Sequence, residues 1–156
     1  MKLSRVMLLM LALFAPHVSV ARPNSAAERA WKPFFAAFRA AARKRDRAAL
    51  RTMMAPDFFT SGGVGDDNGD GDSRDETFAF WDEPLVRGWE ALDRVLAQGV
   101  VPNIALSDPS HTGPSKVAPP AANSRRAARL QTFEWYAVFQ FRDGRWCCVV
   151  FVQCCD

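Results

Sequence analysis

The chain has 156 residues, of which 49% are hydrophobic and 24% charged, with ten prolines and nine glycines. This composition excludes a disordered polyampholyte and a low-complexity or collagen-like chain, and the length suits one domain with appendages. Twenty basic against seventeen acidic side chains leave a net charge of +3, which is too little to mark a nucleic-acid binder.

Residues 1–21 read as a signal peptide. Lys2 and Arg5 give a positive start, residues 6–15 form an apolar run, and Ser19-Val20-Ala21 puts small residues where a signal peptidase reads. The run is shorter than the about 20 residues that span a bilayer. Cleavage after Ala21 leaves a mature domain, 22–156. Losing Lys2 and Arg5 leaves eighteen basic and seventeen acidic side chains, hence a charge of +1. The expected location is the periplasm or the medium, with no membrane contact after cleavage.

Residues 26–44 and 47–54 read as two helices. Trp31, Phe35, Phe38, Ala42, Ala49 and Met53 recur at spacings of three, four or seven, which builds one apolar stripe. Asp46 is a plausible N-cap between the two helices, and Ala55-Pro56 is a stop. A strand is expected at 57–60, and residues 61–75, rich in Gly and Asp, read as a loop. Residues 77–81 read as extended or irregular. Pro84 is expected to open a helix over about 85–98, with Leu85, Trp89, Leu92 and Leu96 on one face and Gly99 just past its end. Residues 100–106 read as a strand and 107–124, with four prolines, as a long loop.

The last segment alternates. Phe133, Trp135, Ala137, Phe139 and Phe141 share one face, and Glu134, Tyr136, Val138 and Gln140 the other. Asp143-Gly144 is a hairpin turn signal. Residues 145–153 return as a strand apolar on both faces, which predicts cover on both sides. The expected fold is α+β, with helices packed on one face of a curved antiparallel sheet that ends in a β-hairpin.

Two phrases carry a resemblance. Residues 34–57 (FFAAFRAAARKRDRAALRTMMAPD) and residues 139–152 (FQFRDGRWCCVVFV) resemble the opening helices and the closing hairpin of the nuclear transport factor 2-like superfamily, in particular its exported, SnoaL-like members with a cystatin-like cone fold. The resemblance implies a hydrophobic pocket inside the cone and dimers formed through the sheet. It spans isomerases, dehydratases, epoxide hydrolases and non-enzymatic binding modules, so fold does not settle function. Its isomerases use a buried tyrosine with two acidic groups. The single tyrosine here, Tyr136, sits in a late strand rather than the first helix, which counts against that chemistry.

Three features bear on function. Phe58, Trp89, Trp135 and Phe139 are candidates to line an apolar ligand pocket, with Glu134 and Tyr136 as polar anchors. Asp66, Asn68, Asp70 and Asp72 match alternate positions of a calcium loop, with Gly71 at its sharp turn. The bidentate Glu expected at the twelfth position is Thr77, with Glu76 one residue early. Cys147, Cys148, Cys154 and Cys155 make an even count suited to an oxidising compartment. On one extended strand Cys147 and Cys154 would lie about 23 Å apart, too far to bridge. Cys154 and Cys155 are therefore expected to link a second chain, to meet a folded-back tail, or to form a vicinal ring. The leading expectation is a domain that binds a small apolar ligand or a partner chain, as a dimer. The alternatives are an enzyme with Glu134 or Asp57 as base and Tyr136 as proton donor, and a calcium-stabilised interaction module.

Overall fold

The computed structural model describes residues 26–60, 73–103, 113–123 and 134–153. Helix α1 (Ala26–Lys44) runs as the apolar stripe predicts, burying Ala27, Trp31, Phe38, Ala41 and Ala42. It ends in a left-handed residue, Arg45 (φ 53°). There Arg45 N–H donates to Ala42 O and Asp46 N–H to Ala41 O, the paired bonds that satisfy the last carbonyls of a helix. Asp46 then caps α2 (Arg47–Met53), its carboxylate accepting from Ala49 N–H at 3.0 Å. Strand β1 (Met54–Phe59) follows without a loop. It begins three residues before the expected strand and includes Pro56, which an edge strand tolerates.

The next stretch departs from the sequence reading. A helix, α3 (Ser73–Asp82), begins inside the expected loop 61–75 and covers 77–81. The Phe and Trp residues of 78–81 carry strand propensity. Asp75 and Glu76, however, suit a helix N-terminus, and Phe78 and Trp81, three apart, bury together beneath the sheet. Helix α4 spans Gly88–Ala97 and starts later than Pro84 suggests. Arg87 is left-handed (φ 53°) and breaks the helix, so residues 83–87 form turns and Leu85 stands 96% exposed. Gly99 (φ +87°) closes α4 as expected.

Beyond α4 lie β2 (Val101–Pro102), β3 (Ser115–Ala118), a 3-10 turn (Pro120–Asn123), β4 (Trp135–Arg142) and β5 (Arg145–Gln153). The strand and the turn correct the reading of 107–124 as loop throughout. Pro114, Pro119 and Pro120 flank β3 rather than interrupt it, so its backbone stays free to pair on both sides. The sheet order is β1-β5-β4-β3-β2. The class is α+β, as the element order predicts. The sheet is mixed, because β1 runs parallel to β5 while the other pairs are antiparallel. Asp143 (φ 51°) and Gly144 (φ 79°) form the expected turn.

The β4–β5 register slips between Val138 and Phe139, leaving Val149 as an extra residue on β5. The bulge decides which side chains enter the core. Trp146 and Cys148 face the helices, Val149 and Val150 join the opposite face, and Phe151 returns to the helix side.

The helix side is filled ring on ring. Phe139 meets Trp31, Phe34, Phe35 and Phe38 at 5.3–6.0 Å between centroids. Trp81 meets Phe78, Trp89 and Phe151 at 5.0–5.7 Å. Lys116 is buried on this side. Its ammonium lies 3.1 Å from Glu28 and over the rings of Trp31 and Trp146, the pairing a buried charge requires.

The basic residues around the α1–α2 junction meet acids of α3 and α4. Arg43 pairs with Asp93, Arg45 with Glu90 and Arg47 with Asp82. Each pair is about half exposed and contributes about 0–1 kcal/mol. Asp82 also accepts the Trp89 indole N–H at 2.9 Å. That bond, then Arg47, holds its carboxyl below the usual range despite some desolvation. Among the described residues no helix is long and apolar enough to cross a membrane.

Candidate functional site

The face of the sheet opposite the helices carries a second apolar cluster: Ala55, Val117, Ala122, Val138, Cys147 and Val149. A groove of about 250 Å³ runs across it. β1 supplies Asp57 and Phe59, β4 supplies Tyr136, Gln140 and Arg142, and the bulge supplies Val149 and Val150. Strand alternation puts Tyr136, Gln140 and Arg142 on one side of β4. Phe59 is 61% exposed.

The polar end of the groove is tightly wired. The Arg142 guanidinium reaches over β5, and its Nη1 donates to both Asp57 oxygens, at 2.9 and 2.8 Å. Its Nε donates to Gln140 Oε1 at 2.7 Å. Cys147, paired with Gln140 across the strands, donates its thiol to Gln140 O at 3.5 Å. Burial pushes the Cys147 thiol up, against the partly offsetting field of Arg142 and Arg145. Burial and then the neighbouring Cys147 push Cys148 up further. Both therefore stay neutral thiols near pH 7, poor nucleophiles and poor metal ligands.

Tyr136 is half-buried, and this burial raises its phenol above the ordinary value of 10.0. It is the single tyrosine of the chain, so the rise in absorbance near 295 nm as the phenol ionises reports it. The expected result is a titration midpoint above 10 that falls to the ordinary value in denaturant. A native midpoint at or below 10 would contradict the burial.

The structure brings together two of the three expected catalytic candidates. Asp57 and Tyr136 line the same groove, while Glu134, just before β4, does not share it despite the face expected from alternation. Glu134 lines a second groove of about 210 Å³ with Trp135, Arg94 of α4 and Pro119. Of the expected pocket residues, Trp135 lines this second groove, while Phe58, Trp89 and Phe139 lie in the packed core. Arg142 and Gln140, which hold the polar end of the outer groove, were not singled out from sequence. Their signal was the alternation that already placed Gln140 beside Tyr136. Asp66, Asn68, Asp70 and Asp72 lie outside the described residues, as do Cys154 and Cys155 and the segment 1–21. Among the described residues no three His, Cys, Asp or Glu gather to hold a metal ion. No family model, no curated protein and no solved structure matches this chain.

Proposed function

We propose that this is an exported, cone-like binding module that docks a second copy of itself through the outer face of its sheet. The observation that supports the reading is the exposed Phe59 beside the buried valines of that face, next to the paired Asp57 and Arg142. An isologous dimer needs a self-complementary patch. An acid and a base side by side, next to an apolar strip, make one, because Asp57 of each copy can exchange its Arg142 partner across the two-fold axis.

The chemistry of the groove favours recognition over turnover. A general base needs a free carboxylate oxygen and a reachable proton. Both Asp57 oxygens accept from Arg142, so neither reaches a substrate proton without breaking that pair.

The test is native mass spectrometry and light scattering on the mature chain, with and without reductant. A dimer that survives reductant is expected, and Phe59→Asp should convert it to monomer with little change in melting temperature. A wild-type chain that stays monomeric, or one that retains a small-molecule mass in place of a partner copy, would overturn the docking reading. A dimer that Phe59→Asp leaves intact would place the interface elsewhere.

A further inference from the structure

The second groove has a different chemistry from the outer face and is independent of it. One face of α4 supplies Ala91, Arg94, Val95 and Gln98, at the spacing that aligns side chains on a helix. Glu134 and Trp135 close it from the start of β4. Arg94 Nη1 and Glu134 Oε2 stand 3.9 Å apart. They attract each other, but the gap exceeds hydrogen-bond length. Both side chains are more than half exposed (60% and 63%), and neither has another partner among the described residues. At that separation the guanidinium fork and the carboxylate are not locked to each other. Between them the floor is formed by the largely buried Val95, Pro119 and Trp135.

We propose that this groove binds a small zwitterion, a free α-amino acid with an aliphatic side chain. An α-carboxylate fits the Arg94 fork in bidentate fashion, and the α-ammonium meets Glu134. The side chain then lies along Val95, Pro119 and Trp135. A simple carboxylate would meet Arg94 but be repelled by Glu134, and a simple amine would meet the reverse. Only a molecule bearing both charges a few ångströms apart satisfies both walls. The volume of about 210 Å³ equals about seven waters at ~30 Å³ each, room for a leucine-sized ligand.

The test titrates L-leucine into the ¹⁵N-labelled mature chain and follows the indole N–H of Trp135, assigned with Trp135→Phe. A saturable shift of that resonance is expected by about 10 mM, the weak affinity normal for so few atoms. Arg94→Gln and Glu134→Gln should each weaken binding about ten-fold or more with unchanged melting temperature, since both side chains are exposed. 4-Methylpentanoate, which lacks the ammonium, and isopentylamine, which lacks the carboxylate, should bind at least as poorly as leucine binds those variants. No shift with leucine would overturn the site. Equal binding by the deaminated acid, or unaltered binding by either variant, would overturn the zwitterion assignment.

Discussion

Phe139→Ala is expected to lower the melting temperature by about 10–20 °C, among the largest effects of any single substitution in this chain. Phe139 is fully buried and projects from β4 into a ring of four aromatics, Trp31, Phe34, Phe35 and Phe38, all on α1. Truncating a buried Phe to Ala costs about 3–5 kcal/mol in lost transfer energy and residual cavity. The ring pairs add to this, each about 0.5–1.5 kcal/mol beyond area burial. Domains of this size are stable by only about 5–15 kcal/mol, so the loss is a large share of the total. Calorimetry on the variant checks it. Phe139→Leu, which keeps most of the volume, should recover more than half of the loss. If Phe139→Ala melted no lower than Phe59→Ala, whose ring is exposed, the account of the core as an α1 clamp would fail.

Gly88→Ala should destabilise the fold by about 1–3 kcal/mol or more, as overpacking does. The sign is what makes this informative. Alanine favours a helix over glycine by roughly 1 kcal/mol, so propensity alone predicts a gain. A β-carbon at residue 88, however, would stand 2.4 Å from Trp81 Cδ1, 2.6 Å from its Cγ and 2.9 Å from its Cβ. Trp81 cannot swing aside, because Phe78, Trp89 and Phe151 box its ring. A urea titration gives the answer, with a lower midpoint expected at unchanged slope. A higher midpoint would mean that α3 and α4 separate more freely than the packing indicates.

These two sites also show what could be read from sequence. The helices of 26–54 were legible because their signals agree: a 3.6-residue stripe from Trp31 to Ala42, then Asp46 at a cap. The closing hairpin was legible for the same reason, with strict alternation on both sides of Asp143-Gly144. Residues 73–87 were not. Phe78 and Trp81 favour a strand locally and are claimed for a helix by the core they bury into. Pro84 marks a helix start in general, but the left-handed Arg87 moves this one to Gly88. The parallel placement of β1 has no local signature, since it depends on a partner at the far end of the chain. The site was half legible. Asp57 and Tyr136 stood out as a candidate base and proton donor. Their meeting in one groove, and the Arg142 that spans β5 to bind Asp57, depend on strand order. The Val149 bulge was invisible because both faces of β5 are apolar, so an alternation signal has nothing to lose when its phase slips.

The pairing of β1 with β5 also sets the order in which the molecule comes into being. Met54 and Phe59 have their sheet partners at Cys148 and Val150, and among the described residues β1 sits at the sheet edge with β5 as its one neighbour. At about 5–20 residues per second, a ribosome needs roughly 5–20 s to supply the intervening ninety or so residues. For that interval the two opening helices trail a strand that has nothing to lie against. The outer groove is thus completed only with β5, as is the helix-side core that takes Trp146, Cys148 and Phe151. Asp57 and Phe59 become a surface only when the final strand is laid down between them and Arg142, so a chain that stops short of residue 145 offers no half-built version of the site.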